Sequence, residues 1–238
     1  MAGKPKSSQE INFKLKEYLA TTYAQTGKSP NMKGLSGQDY IACGLSINAQ
    51  IFIEGDAGDF FSALNNGARI RLSGNAGRFA CDTMSDGLVY ITGDTGKGAG
   101  FGMSGGVMIV HGNTGAGCGQ CMRGGIIIVE GTAGEHAAAM MYGGEIILCG
   151  ESRGTLGEGM TGGVIYSGSE IVSLSEDVKK AMLSELDIMH LKDIFAKYDI
   201  KAEPSNFVKV IPDEEGPTRK KWDKLLEEFP SICWGDMQ

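Results

Sequence analysis

From Gly55 the chain repeats itself every 19 residues. GDAGDFFSALNNGARIRLS is followed by GNAGRFACDTMSDGLVYIT from Gly74, GDTGKGAGFGMSGGVMIVH from Gly93, GNTGAGCGQCMRGGIIIVE from Gly112 and GTAGEHAAAMMYGGEIILC from Gly131. A further copy, GESRGTLGEGMTGGVIYS from Gly150, is one residue short, and a degenerate copy at 36–54 precedes them in register. A unit this small has no room for a βαβ crossover, which needs roughly 30 residues, but it suits one turn of a solenoid. The expected fold is an all-β solenoid, a right-handed parallel β-helix of about seven such coils spaced at ~4.8 Å, with helical N- and C-terminal extensions. The bounds expected are 1–35 for the N-terminal helical extension, 36–174 for the β-helix and 175–238 for the C-terminal helical tail.

The columns of the repeat carry the physics. Each copy opens with Gly and a turn-forming or polar residue (Asp56, Asn75, Asp94, Asn113, Thr132, Glu151), the chemistry of a corner in left-handed backbone. A second corner follows at Gly105-Gly106, Gly124-Gly125, Gly143-Gly144 and Gly162-Gly163, and then four strand-like residues. The second of the four is always apolar (Ile51, Ile70, Val89, Met108, Ile127, Ile146, Ile165), and the fourth is apolar until Ser167. Period two places both columns inward. Met84, Met103, Met122, Met141 and Met160 share one column and read as a buried stack. This use of corners accounts for 37 glycines against 6 prolines, about twice the ordinary glycine share, without a collagen period.

The flanks read as caps. Ile11, Leu15, Tyr18 and Leu19 have helical spacing that ends near Gly27. After the last coil, Ser173 to Glu176 has the pattern of a capping box opening one broken helix or two. FVKVIP (207–212) is extended, and 217–229 is a short amphipathic helix with Pro217 at its start. The net charge of −7, with scattered basic residues, argues against nucleic acid or anionic membrane. With no signal peptide and no apolar span, the expectation is a cytoplasmic chain whose cysteines are reduced.

Several motifs invite chemistry. Gly100-Phe101-Gly102-Met103-Ser104-Gly105 matches the dinucleotide-loop string, but so does Gly157–Gly162, both produced by the same columns, and neither joins a strand to a helix. Cys118 and Cys121 have redox-pair spacing, yet Cys118 occupies a column of small inward residues (Ala80, Ala99, Ala137). His111 and Glu130 share a column on adjacent coils and should touch. His136 and His190 have no visible partner, and Asp82 and Glu158 look isolated. No residue is assigned to catalysis, a cofactor or a metal.

The outward columns are the most informative feature. Val107, Ile109, Ile126, Ile128, Ile147, Val164 and Tyr166 make an apolar stripe that needs cover. Two readings stay open: the chain's own C-terminal helix lies over it, or it is a docking face for another protein.

The repeated Gly-Asn/Asp-x-Gly … Met-x-Gly-Gly-x-Ile-x-Val unit, as in GNTGAGCGQCMRGGIIIVEGTAG, resembles the GXGXG family over roughly 36–174. Two kinds of protein carry that unit: the large chain of glutamate synthase, as its C-terminal β-helix domain, and one of the structural chains of formylmethanofuran dehydrogenase. The later Phe207-Val208-Lys209-Val210 is similar to the end of glutamate synthase large chains. The resemblance implies a stand-alone version of that domain, itself without catalytic residues. It would position an amidotransferase chain and an FMN-containing synthase chain, which carry the FMN and the iron–sulfur centres. It also implies an oxidoreductase subunit rather than an enzyme on its own. The alternatives are a scaffold of a molybdenum or tungsten formylmethanofuran dehydrogenase, and a self-sufficient β-helical enzyme of the carbohydrate-active kind. A homo-oligomer is also compatible with an apolar side.

Overall fold

The computed structural model describes residues 6–228. The chain opens with α1 (Ser8–Tyr18), passes through a π-helical turn (Leu19–Tyr23) into α2 (Ala24–Thr26), and stops at Gly27 in left-handed backbone. Ser7 and Glu10 form a reciprocal capping box at its start. The solenoid strands follow: β1 (Asn31–Gln38), β2 (Gln50–Ala57), β3 (Asn66–Ser73), β4 (Asp86–Ile91), β5 (Ser104–Val110), β6 (Gly124–Val129), β7 (Tyr142–Leu148), β8 (Ser152–Leu156) and β9 (Gly162–Ser167). The C-terminal part contributes β10 (Ile171–Leu174), β11 (Val178–Ala181), α3 (Glu185–Tyr198), a 3-10 turn (Pro204–Asn206), β12 (Val208–Pro212) and α4 (Pro217–Glu228).

The architecture is the expected parallel β-solenoid, with about eight coils. Strands β1 to β7 and then β9 form one parallel sheet, and each rung advances by one repeat: Ile70 pairs with Val89, Val89 with Met108, Met108 with Ile127, Ile127 with Ile146 and Ile146 with Ile165. That register puts both apolar columns and all five stacked methionines in the core. The sheet runs past both ends expected for it. At its start β1 begins within the segment expected to be helical and runs across its boundary at 35, and at its end β12 and β11 join antiparallel.

A second face is a ladder of single bridges, Ala76–Thr95–Thr114–Ala133–Ser152. Beside it the Asp and Asn of successive corners chain together. The Asp56 Oδ1 accepts from the Asn75 amide at 2.8 Å, Asn75 from Asp94 at 2.9 Å, Asp94 from Asn113 at 2.7 Å and Asn113 from Thr132 at 2.8 Å. The corner glycines 93 and 112 are therefore not left-handed, as the turn chemistry had suggested. They are glycine because a Cβ would lie 2.3 and 2.2 Å from the carbonyl or carboxylate oxygen of the ladder residue one coil back.

The third face explains the glycine-alternating string. Every second residue there is left-handed: Phe79, Cys81 and Thr83 in one coil, Gly98, Gly100 and Gly102 in the next, Gly117, Gly119 and Cys121 after that, and His136, Ala138 and Met140 beyond. In the first three of these trios the first and third residues donate their N–H to the following coil and the middle one to the preceding coil; in the last, Met140 donates forward and Ala138 backward. Gly98 bonds Ala116 and Gly102 bonds Gln120, while Gly100 bonds Ala80. The glycines of 98–102 thus serve inter-coil hydrogen bonding.

Both open ends are closed. β12 covers the edge of β9, β10 covers β8, and the exposed Lys179 and Lys180 blunt the outer edge strand β11. At the other end Ile11, Leu15 and Leu19 of the N-terminal helix are buried against the first coil. The Ser173–Glu176 pattern does not start a helix; 171–174 and 178–181 are strands, because sheet pairing at the open end of the solenoid outweighs a local capping signal. The working box lies further on, where Ser184 and Asp187 cap α3.

Candidate docking face

The outward columns of the sheet meet α3. Ile109, Ile128, Ile147 and Tyr166 are buried with Leu191, Ile194 and Phe195 of the helix and with Ile200 and Phe207 beyond it. Val107, Ile126 and Val164 pack at the margin of this second core and stay partly exposed. Of the two covers considered for the stripe, the chain's own helix occupies its centre. Further back, the same face carries Arg69 and Arg71, with the Arg71 guanidinium 4.7 Å over the Tyr90 ring.

Helix length fits the stripe. Asp187 reaches Tyr166 on β9, and His190, about one turn later, reaches Glu145 on β7. One helical turn of ~5.4 Å thus tracks one coil spacing of ~4.8 Å, and the 14 residues of α3 extend about 21 Å, or some four coils.

A polar clamp fixes the start of α3. The Asp187 carboxylate accepts from the Tyr166 hydroxyl at 2.6 Å, from the Lys209 ammonium at 2.7 Å and from the Ser184 hydroxyl at 2.6 Å and amide at 2.8 Å. Burial, the largest single influence, would raise its pKa. The hydrogen bonds from Lys209, Ser184 and Tyr166 outweigh it and hold the carboxyl well below the usual range. Tyr166 is pushed up, first by burial and then by Asp187. One turn on, His190 Nε2 lies 2.8 Å from Glu145 Oε2, while the buried Glu145 Oε1 has no partner among the described residues.

Tyr166 and His190 were named from sequence, but their partners Asp187, Lys209 and Glu145 were not. The signal for Glu145 was its position, a carboxylate in a column that is apolar in the other later coils, at Leu88, Val107, Ile126 and Val164. The spacing of Lys209 and Asp187 held no comparable signal, because the sheet brings them together across 22 residues.

The other candidates resolve as structure. His111 contacts Glu130 as its column implied, and also the Tyr90 hydroxyl. His136 is not in a strand but at a left-handed position of the third face, 2.5 Å from Glu158, so neither is isolated. Asp82 bonds the adjacent Thr83 hydroxyl. Cys118 is fully buried and its thiol is pushed up to about 12 by burial; it and Cys121 are both free. Among the described residues no cluster of three His, Cys, Asp or Glu is placed to hold a metal ion, and no helix is long and apolar enough to cross a membrane.

A family model described as the GXGXG motif matches residues 38–233. No curated protein matches the chain.

Proposed function

The chain belongs to the GXGXG motif family, and on that premise we propose that it is a non-catalytic structural subunit of a glutamate synthase-type complex. In this reading it holds an amidotransferase chain and an FMN- and iron–sulfur-containing synthase chain in position, while glutamine-derived ammonia is passed to 2-oxoglutarate in those partners. The observation that carries it is the reach of the match. It does not stop with the repeats at 174 but continues to 233, through the α3 cover and the Phe207–Val210 stretch that resembles the end of glutamate synthase large chains. In the fold that stretch is no loose tail: Phe207 packs under α3, Lys209 holds Asp187 and Val210 is buried against the last coil.

The rigidity of the solenoid suits a spacer. Its partner contacts would fall on surface that α3 leaves open, which includes the marginal Val107, Ile126 and Val164. Affinity capture of the tagged chain from native extract, with mass spectrometry of what co-purifies, tests the reading. Flavin-containing synthase and amidotransferase chains are expected. Recovery of molybdopterin-binding chains instead would overturn it in favour of a formylmethanofuran dehydrogenase scaffold.

A further inference from the structure

Among the described residues the last helix stands apart from the rest of the fold. Only the first turn of α4 is tied down, where the Thr218 amide donates to Asp177 Oδ1 at 2.8 Å; every residue from 219 to 228 is exposed. Yet Trp222, Leu225 and Leu226 recur at helical spacing and form an apolar face with nothing against it among the described residues. A 12-residue helix without tertiary packing is marginal in water.

Its charges are arranged against its own dipole. The first turn carries Arg219, Lys220 and Lys221 and no acid, and the last carries Glu227 and Glu228 and no base. Both choices are unfavourable at those ends of a lone helix. The internal pairs Arg219–Asp223 and Lys224–Glu228 also have the basic residue first, the weaker order. An antiparallel neighbour of the same sequence offsets the penalties at both ends. Its acidic, dipole-negative end lies beside the basic first turn, and the arrangement is reciprocal, as a two-fold interface requires.

We propose that α4 pairs antiparallel with the α4 of a second copy of this chain, across a two-fold axis near Lys224. Trp222, Leu225 and Leu226 of the two copies pack together, and Arg219 and Lys221 of one copy lie alongside Glu227 and Glu228 of the other. The proposal stands on the helix alone and is independent of any glutamate synthase partner.

Sedimentation equilibrium of the full chain over a dilution series tests it. The wild type is expected to be a concentration-dependent dimer. Leu225→Asp should raise the dissociation constant about a hundredfold, with an unchanged thermal unfolding midpoint for the solenoid, since among the described residues the side chain is exposed and lies outside the solenoid core. Lys221→Glu and Glu228→Lys should each weaken the dimer, and the double variant should recover it, because in an antiparallel pair the exchanged charges face each other again. A wild type that stays monomeric, whatever else covers the helix, overturns the proposal. So does a dimer that survives Leu225→Asp, or a double variant no tighter than the singles.

Discussion

Asn12 and Asp177 stand at opposite ends of one backbone ladder, and each supplies the partner that a further coil would have supplied. On the third face the middle N–H of a coil donates backward, and for the first coil the Ala42 amide finds Asn12 Oδ1 at 2.9 Å. The last N–H of a coil donates forward, and for the final coil the Gly159 amide finds Asp177 Oδ2 at 2.8 Å. Asn12 also donates to the Tyr40 carbonyl, and Asp177 also caps α4.

Removing either side chain should therefore open one end of the solenoid and leave the other intact. Asn12→Ala and Asp177→Ala should each cost roughly 1–3 kcal/mol, the range for a buried donor left without its acceptor. Amide hydrogen exchange would show faster exchange at Ala42 in the first variant and at Gly159 in the second. Equal loss of protection at both ends would contradict separate caps.

Two glycine classes should respond differently to the same methyl group. At Gly124 a Cβ would lie 2.5 Å from the Ser104 carbonyl oxygen, a backbone atom held by the stack. At Gly100 the nearest atom is the mobile end of Ile127, and Cys81 and Ala138 already carry a Cβ at that column with the same left-handed backbone. Gly124→Ala is expected to lower the unfolding midpoint clearly. Gly100→Ala should cost about 1–2 kcal/mol, the left-handed penalty for a residue with a Cβ. Thermal melts of the pair give the ranking.

Ile128 is buried beneath α3, whereas Ile126, two residues earlier on the same strand face, is only partly covered. Ile128→Ala should destabilise by roughly 2–5 kcal/mol, as for a core deletion, and Ile126→Ala by less. Urea unfolding reads the difference, and limited proteolysis of the segment after α3 should accelerate only in the Ile128 variant.

The Asp187 clamp makes stability depend on acid. Its pKa is depressed in the folded state, so its contribution is complete above the ordinary carboxylate value of about 4 and is lost as the pH falls through and below it. Asp187→Asn should cost roughly 1.5–3 kcal/mol at neutral pH, the range for hydrogen bonds to a charged group. The difference from wild type should shrink on titration toward pH ~3. A gap that stays constant between neutral and acid pH would show that the carboxylate charge is not what matters.

The solenoid was legible because a repeat reports each environment many times. Seven apolar residues from Ile51 to Ile165 in one column fix which way a strand faces, and Gly124 is understood from Gly105, Gly143 and Gly162. The caps occur once each and had no such redundancy. Ser173 and Ser184 both begin a plausible capping box, and local sequence did not distinguish the one that the sheet would claim. The clamp was hidden for a related reason. Asp187, Lys209 and Tyr166 lie far apart in the chain and meet only after α3 has folded back over the coils.

That fold-back bears on how such a chain changes over evolutionary time. A repeat array can lengthen or shorten by duplicating or deleting whole units, since each new unit presents the same edge as the last. Here α3 acts as a ruler across the later coils, with Asp187 pinned at β9 and His190 at β7. An added unit between β7 and β9 would slide Glu145 away from His190, and one between β5 and β7 would leave an isoleucine uncovered. The same addition near β2 or β3, outside the reach of the helix, would disturb neither. Whole units should therefore be gained or lost with least disturbance in the first coils.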